Sequence, residues 1–354
     1  MANWYCSREA VKRAVGINGT SRNPMVDRII EARSRYIDRE TRRIFIPKTQ
    51  TRLYRWPPRQ PSSAYVLWLD FDLISVTTLR AKAQDSSPTT IVAADYFLEP
   101  ANYGPPYDRI EIDESSTAAF EAGDTTQRSI SVLGSWGYGN DTRSVGTIDD
   151  AGGITATETT LIISDASLID VGDTLLVESE QIFVSDRIFA ARGTILLNMA
   201  GNLASDRATV AVTVDATHGI KAGEVIRIDS ELMYVESVAT NVLTVVRAYD
   251  GSVLASHNDD TAIHVNRTLT IERAINGTTG ATHADAVAIS KYEPAFDITQ
   301  WCIAEAISTY QQEQSSWGRS VGQGDGAVEF RGTDLAAMRK SMVDRYRTVL
   351  MGVV

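Results

Sequence analysis

Near the start of the chain, apolar residues recur with the spacing of a helix. After Asn23-Pro24, which offers a cap and a first-turn proline, they follow an i, i+3, i+4, i+7 pattern to about Arg43. The positions of this face are Val26, Ile29, Ile30, Arg33, Tyr36 and Ile37. A shorter helix is predicted before it, from the N-cap residue Ser7 through Val15, and Gly16 ends it.

Two more helices are predicted after Pro294. The first is capped by Asp297 and carries apolar residues as far as Tyr310. The second begins at about Thr333 and has an apolar face. A glycine-rich link lies between these helices, and we expect it to be mobile. Its glycines include Gly318, Gly322, Gly324 and Gly326.

Between the two pairs of helices, the pattern changes to that of short β-strands. From Pro47 to Gly139 it alternates with a period of two, which predicts a small mixed or antiparallel sheet. The strands predicted there are residues 51–56, 65–69, 74–80, 96–99, 109–112 and 129–134. Further along, β-branched runs are interrupted by turn residues, which predicts small antiparallel β modules. Those runs are residues 210–214, 225–228, 232–235 and 243–246.

The middle of the chain repeats itself. At an offset of 26 residues, Arg247 aligns with Arg273, Gly251 with Gly277 and His257 with His283. At an offset of 51 residues, the stretch 172–184 aligns with 223–235. This segment therefore arose by duplication. The turns Asp250-Gly251 and Asn276-Gly277 are the strongest tight-turn dipeptides in it, because these residue types tolerate positive φ.

Charge divides the chain at the same places. Residues 1–144 carry 19 basic and 17 acidic side chains, whereas residues 145–294 carry 9 basic and 21 acidic ones. We therefore predict that residues 145–294 form a separate domain, inserted between residues 1–144 and 295–354. Within the first part, residues 1–55 hold 13 basic and 5 acidic side chains, which indicates either a solvated helix face or a surface near phosphates or an acidic partner.

Overall composition is that of a globular protein. Hydrophobic residues make up 43% and charged residues 22% of the 354 residues. No apolar run is long enough to span a bilayer and no signal-peptide pattern begins the sequence, so we expect a soluble protein that is made in a cytoplasm. The two cysteines, Cys6 and Cys302, lie at opposite ends of the chain, and we interpret each as a small buried apolar residue.

Common motifs of phosphate and metal binding are not found in the sequence. It has no phosphate-binding loop, no His-Glu-x-x-His and no Cys-x-x-Cys pattern, so we expect neither an enzyme nor a bound cofactor. All four histidines lie in the repeat: His218, His257, His264 and His283. Because a duplicated position usually repeats a structural role, such as bonding a turn carbonyl, that role is favoured for His257 and His283 over metal ligation.

The order of these pieces resembles the head-tail connector (adaptor, or head completion) proteins of tailed bacteriophages. Two N-terminal helices lead into Arg42-Arg43-Ile-Phe-Ile-Pro47, and Asp95-Tyr-Phe-Leu-Glu-Pro-Ala-Asn102 and Val132-Leu-Gly-Ser-Trp-Gly-Tyr-Gly139 follow. Two closing helices come after Pro294. The resemblance covers about residues 4–144 and 295–354. It implies an α+β fold, with a helical adaptor core, a small β-sheet region and an inserted all-β domain made of repeats.

The resemblance also implies a function. Such a protein forms a homo-oligomeric ring, implied to have twelve subunits, in the neck of the virion at the head-tail interface. It binds the portal protein on one side and a stopper or tail-completion protein on the other, and DNA passes through the lumen without sequence specificity. The protein would be made in the cytoplasm of the bacterial host. We expect the acidic insert on the outer side of this ring, away from DNA.

Interface energy in such a ring is expected at arginines and aromatic residues. The candidate ring, portal or DNA-channel residues are Arg28, Arg35, Arg39, Arg42, Arg43, Trp136, Tyr138, Met342, Tyr346, Leu350 and Met351. For Trp136 and Tyr138, the alternative is that they fill the core beneath the helices.

The sequence is compatible with several roles for the insert and for the whole chain. The insert (residues 145–294) is expected to brace the capsid and neck or to bind another virion protein such as a fibre, and surface glycan binding is a third interpretation. For the whole chain, the alternative to a structural protein is a tail-associated hydrolase or a glycan-binding virion protein.

Overall fold

A computed structural model describes residues 3–58, 64–216, 218–315, 320–321, 328–329 and 332–348 of the chain. It contains four α-helices, which are α1 (Arg8–Val15), α2 (Asn23–Thr41), α3 (Phe296–Gln314) and α4 (Gly332–Tyr346). Ser7 caps α1 and accepts a hydrogen bond from the Ala10 amide, and Gly16 ends that helix with a left-handed backbone, as the sequence predicts. The glycine-rich link falls largely outside the described residues.

An antiparallel sheet follows α2. Its strands are β1 (Lys48–Tyr54), β2 (Val66–Ala81), β3 (Thr89–Ile91), β4 (Tyr96–Glu99), β5 (Tyr107–Ile112) and β6 (Ile130–Trp136). They are arranged β1-β6-β2-β5-β4, with β3 against the far end of β2. The sequence predicts two strands where the single strand β2 lies. The pairing of β2 shifts its register between Trp68 and Leu73, and this irregularity lets one strand continue through the two polar residues Asp70 and Asp72.

The predicted helical core is wrong. The protein is mostly β, with 36% of its residues in strands and 22% in helices. Strands are longer than their apolar runs suggest, because register shifts carry them through polar residues. This is seen in β2 with 16 residues and in the later strand β10 (Glu180–Leu196) with 17. Of the four apolar cores in the described part of the chain, the helices enclose one, and the other three lie in the β regions.

The middle of the chain forms the second sheet, which has ten antiparallel strands. They are β7 (Thr142–Thr147), β8 (Thr160–Ile162), β9 (Thr174–Val177), β10, β11 (Ala211–Thr213), β12 (Val225–Ile228), β13 (Glu231–Ala239), β14 (Val242–Val246), β15 (Ala262–Glu272) and β16 (Ala288–Tyr292). A short pair, β17 (Ser320–Val321) and β18 (Val328–Glu329), precedes α4.

The ten-stranded sheet consists of two six-stranded units that share its longest strands. Unit A comprises β7, β8, β9, the first half of β10, the second half of β15, and β16. Unit B comprises the second half of β10, β11 to β14, and the first half of β15. Isolated bridges join the first strand to the second, Ile148 to Ile163 in unit A and Leu197 to Val214 in unit B. Each unit therefore closes on itself, around its own apolar core.

Unit B interrupts unit A. In unit B, the fourth strand β13 ends at Ala239 and the fifth strand β14 begins at Val242, so only a tight turn joins them. In unit A the equivalent strands are β10 and β15, and the whole of unit B lies between them. The two copies are therefore nested, with the second inserted at a hairpin turn of the first.

Strand pairing is conserved between the copies. Ile226 pairs with Val265 in unit B, and Leu175 pairs with Lys291 in unit A, which are the same positions at offsets of 51 and 26 residues. The two offsets differ because the first four strands of unit A precede unit B and the last two follow it. The repeat in the sequence is thus a repeat of complete closed units.

The chain enters and leaves this pair of units at one place. Thr142 at the start of β7 pairs with Tyr292 at the end of β16, and the Glu293 amide donates to the Asp141 carbonyl. The segments on either side then join one helical layer. Its buried residues include Tyr5, Ile30 and Trp301. No helix in the part of the chain that the structure describes is long and apolar enough to cross a membrane.

Candidate functional site

The candidate interface residue Trp136 lies in the core. It is fully buried beneath the six-stranded sheet, and its indole N–H donates to the Gln50 carbonyl at 3.0 Å. Tyr138 is half-buried and packs against Phe45 and Tyr346. For Trp136, the core interpretation applies, so this side chain presents no surface of this chain to a partner.

The outer face of that sheet carries other aromatic residues. Trp68 is 45% exposed and Phe97 is 54% exposed, and the pairing of β2, β5 and β4 places both on the same face. Arg109 lies on the same face of β5, the strand between theirs, and its guanidinium is 5.1 Å from the centre of the Trp68 ring. Neighbouring exposed aromatics of this kind are typical of contact surfaces. The sequence pattern did not single them out, because alternation alone does not tell which face of a strand is covered.

The predicted arginine stripe on α2 does not form one free surface. Arg28 binds Glu313 of α3, and Arg35 donates to the Asn3 carbonyl and pairs with Asp38. Arg39 remains largely exposed, with 74% of its side chain accessible, and Arg42 is exposed where the helix ends. The stripe is therefore divided. Arg35 is held within the chain, whereas Arg39 and Arg42 at its C-terminal end are exposed and Arg28, although paired, is 65% exposed.

Arg43 and Tyr346 belong to the packing between the ends of the chain. Arg43 pairs with Asp72 at 3.3 Å and lies 4.8 Å from the centre of the Tyr138 ring. Tyr346 is buried, and its hydroxyl donates to the Asp297 carboxylate. Met342 is half-buried against the same helical layer. The candidates Leu350 and Met351 lie outside the described residues.

Part of the basic charge near the N-terminus faces the acidic units. Arg8 pairs with Asp186 of unit A at 3.0 Å and with Asp27 at 2.6 Å. Lys12 pairs with Asp250 of unit B at 3.2 Å. An acidic neighbour of this basic segment is therefore a part of the same chain.

The two repeated turns hold the units against the N-terminal region. In unit B, the Asp250 carboxylate accepts hydrogen bonds from Lys12 and from the Gly19 amide. In unit A, the equivalent Asn276 donates to Asn3 and to Gln181. Both turn residues have positive φ, 48° and 55°, as the Asp-Gly and Asn-Gly dipeptides predict. Each copy thus uses the same turn as its contact with the body of the protein.

Each unit also contains a buried network built on one glutamate. In unit B, Glu231 receives two hydrogen bonds from Arg247, at 2.7 and 2.8 Å, and lies 2.9 Å from His257 Nε2. The amides of Ala248 and Ala255 donate to the same carboxylate. Arg247 and Glu231 are almost completely buried, so the charges are compensated within the network.

Unit A repeats this network residue by residue. Glu180 receives two hydrogen bonds from Arg273 and lies 2.8 Å from His283 Nε2, and the amides of Ala274 and Ala281 donate to it. Burial alone raises the pKa of both glutamates, but the hydrogen bonds from arginine, histidine and backbone outweigh it and lower each pKa to about 2. Both carboxylates therefore stay ionised and fix the turns that contact the N-terminal region.

His257 and His283 are members of these two networks. The second ring nitrogen of His257 lies 2.7 Å from Asp229, and that of His283 lies 2.7 Å from Glu178. Their role is structural, but the partners are carboxylates rather than the expected turn carbonyl. Nε2 of His218 bonds the Thr240 carbonyl. Among the described residues, no three His, Cys, Asp or Glu side chains are grouped closely enough to hold a metal ion.

A cavity of about 470 Å³ lies where unit A meets the helices. Its lining includes the acidic residues Asp141, Asp170, Asp173 and Glu293, and Lys291 pairs with Asp173 at 3.2 Å. Burial raises the pKa of Asp173 to about 6, although Lys291 acts against this. The cavity therefore favours cationic over anionic groups.

The chain was compared with known protein families, curated proteins and solved structures. The chain matches no known protein family, no curated protein and no solved structure.

Proposed function

We propose that this protein is a head-tail connector of a tailed bacteriophage, a structural subunit of a ring that joins the portal to the tail and lets DNA pass. The observation that carries the proposal is how the two segments with the resemblance come together. The segment before the units and the segment after them pack into one body, in which Tyr346 contacts Phe45 and Tyr138. This is what an adaptor with an insertion requires.

The geometry of the insertion supports the same proposal. Asp141 and Glu293 are hydrogen-bonded neighbours, so units A and B can be accommodated without separating the parts of the body. Two structured turns and the ion pairs of Arg8 and Lys12 then fix the units on it. We infer that the units act as a rigid extension that braces the neck or binds another virion protein.

A ring needs a surface for its neighbour and one for its anionic or portal partner. The exposed face of Trp68 and Phe97 is suited to contact with the next subunit, since exposed aromatics and arginine dominate such contacts. Arg39 and Arg42 are suited to the portal or to DNA, because both are exposed and Arg42 has no ion pair within the described part of the chain.

The first test is the mass of the purified protein in solution, by light scattering, together with imaging of phage particles in which the protein is labelled. We expect rings of many subunits, or a monomer that becomes a ring only on the portal, and label at the neck. The variant Phe97→Glu should prevent ring formation without unfolding the subunit. Tyr103→Ala should leave ring formation unchanged, because Tyr103 is 87% exposed at the end of a short 3₁₀ helix. A monomer that never assembles and is missing from particles would overturn the proposal.

A further inference from the structure

Two cysteines from opposite ends of the chain are in contact. The Cys6 thiol donates a hydrogen bond to the Cys302 sulfur, and the two sulfur atoms are 3.3 Å apart although 296 residues separate them in sequence. Cys6 immediately precedes the cap of α1, and Cys302 lies within α3. Cys6 is 6% exposed and Cys302 is fully buried. No pattern in the sequence indicates this contact, because it depends on how the two ends of the chain pack.

The surroundings prepare one sulfur as the nucleophile. Ser34 Oγ lies 3.5 Å from the Cys302 sulfur and accepts a hydrogen bond from the Tyr5 amide, which fixes the segment that carries Cys6. The hydrogen bond from Cys6 lowers the pKa of Cys302, whereas the same bond raises that of Cys6. Cys302 is therefore the thiol that ionises first, and a thiolate is the reactive form.

We propose that Cys6 and Cys302 are a modification site, at which oxidation by a peroxide joins the segment before α1 to α3 through a disulfide. The two sulfurs need to approach by only roughly 1 Å to reach the bonding distance of about 2.05 Å. A peroxide is the fitting oxidant class, because it is small enough to reach a buried sulfur when a larger disulfide reagent is not.

The oxidation proceeds in two displacements, first at a peroxide oxygen and then at sulfur. The Cys302 thiolate attacks one peroxide oxygen and breaks the O–O bond, which gives a sulfenic acid and, after protonation, water. The Cys6 sulfur then attacks the Cys302 sulfur, its proton leaves, and the sulfenic hydroxyl departs as a second water. In sum, two thiols are oxidised to one disulfide and one hydrogen peroxide is reduced to two waters.

Such a bond would stabilise the whole body. It would close a loop that contains α1, α2, both sheets and the start of α3, and cross-links that close long loops restrict the unfolded chain most. A consequence for the virion rests on the proposed function. The subunit would assemble with free thiols in a reducing cytoplasm and gain the disulfide after the particle is released into an oxidising medium.

The test uses the full-length protein, reduced with a phosphine and freed from it. Hydrogen peroxide is added in equimolar amount, the protein is denatured in iodoacetamide, and its mass is measured. We expect a species that has lost two hydrogens and takes up no iodoacetamide, remains a single chain on a non-reducing gel, and unfolds at a higher temperature than the reduced protein. In Cys6→Ser and Cys302→Ser, both the bond and the rise in Tm should be absent.

A second arm removes slow access to buried sulfur as an explanation. The reduced protein is refolded from urea in buffers of reduced and oxidised glutathione, so that the sulfurs equilibrate before burial. Alkylation of both thiols in both arms, or a disulfide that links two chains, would overturn the inference. Because these readouts need neither rings nor particles, they fail or succeed independently of the connector proposal.

Discussion

His257 Nε2 lies 2.9 Å from Glu231 Oε2, and neither side chain is reached by solvent. The same contact occurs once more, at 2.8 Å, between His283 and Glu180. Two buried charge networks with the same members thus hold two copies of one turn, and each turn is a point where a β unit contacts the N-terminal region. The networks explain why the repeat keeps charged residues at buried positions.

Replacing Glu231 by Gln should destabilise the protein strongly. The amide keeps the size of the carboxylate but leaves Arg247 buried without its counter-charge, which typically costs about 3–5 kcal/mol. The measurement is the free energy of unfolding in urea at neutral pH. Asp229→Asn is the matched control, because that carboxylate also touches His257 but is 59% exposed, and it should cost less than about 1 kcal/mol. Equal losses for the two variants would contradict the network interpretation.

The glutamates could have been recognised from the sequence, whereas the nesting could not. Glu180 and Glu231 are identical at the offset of 51 residues, and Arg247 and Arg273 are identical at the offset of 26. Conserved charge in a duplicated β segment signals a buried partner. No local pattern shows that Glu231 binds Arg247 or that Glu180 binds Arg273. These contacts depend on pairing between strands that are far apart in sequence.

Local patterns predict the helices well but not the proportion of helix to strand in the whole protein. Ser7 and Gly16 delimit α1 as expected, since capping and left-handed backbone are properties of single residues. The length of β2 and the contact of Cys6 with Cys302 depend on distant segments. Tryptophan is a residue type that is enriched at interfaces, and only the packing shows that Trp136 lies in the core.

Gly277 lies so close to the backbone of Thr49 that a side chain at this position should destabilise the protein. Its φ is 78°, and a Cβ there would lie 2.1 Å from the Thr49 carbonyl oxygen, which is backbone and cannot turn away. Gly277→Ala should therefore push the turn of unit A off β1. In urea unfolding it should lower the free energy of unfolding by more than the strain of its positive φ alone. Gly16→Ala is the control, because its φ is also positive but nothing lies within 4 Å. It should cost only the backbone strain of about 1–2 kcal/mol. A similar loss for both variants would argue against the contact.

The ion pair between Lys12 and Asp250 should be measurable as a coupling. Both side chains are largely buried, with 11% and 22% exposed. In a double-mutant cycle with Lys12→Met and Asp250→Asn, we expect a coupling of about 1 kcal/mol in urea unfolding. Asparagine keeps an acceptor for the Gly19 amide and tolerates the positive φ, so the cycle isolates the charge. A coupling of zero at low salt would show that the ion pair itself does not help to hold unit B on the N-terminal region.

Replacing Trp136 should affect the stability of the subunit, whereas replacing Trp68 should affect its assembly. Trp136→Ala removes a fully buried ring and its bond to Gln50, so it should cost about 3–5 kcal/mol in unfolding. Trp68→Ala removes a ring that is 45% exposed, so it should change stability by only about 0.5 kcal/mol but weaken any contact between subunits. The measurements are urea unfolding and light scattering. A Trp68 variant that assembles normally would exclude this sheet face from the ring contact.

Stability should be greatest near pH 5, because two groups of carboxylates act in opposite directions. Burial and the charge of Asp170 raise the pKa of Glu9 to about 7, and burial raises the pKa of Asp38 to about 6, against ordinary values of 4.5 and 3.8. In this range the folded protein binds more protons than the unfolded chain, so stability increases as pH falls from about 8 to 5.

Below about pH 4.5 the opposite holds. Glu180 and Glu231 have pKa values of about 2 in the folded protein and 4.5 ordinarily, so there the unfolded chain binds more protons. Their contribution is present above about pH 4.5 and is lost as pH falls towards 2. Urea unfolding at intervals between pH 3 and 8 measures the profile. Glu9→Gln keeps an acceptor for the Val171 amide and should flatten the slope between pH 5 and 8 without changing the acid limb. A profile that this variant leaves unchanged would show that Glu9 is not the buried acid responsible.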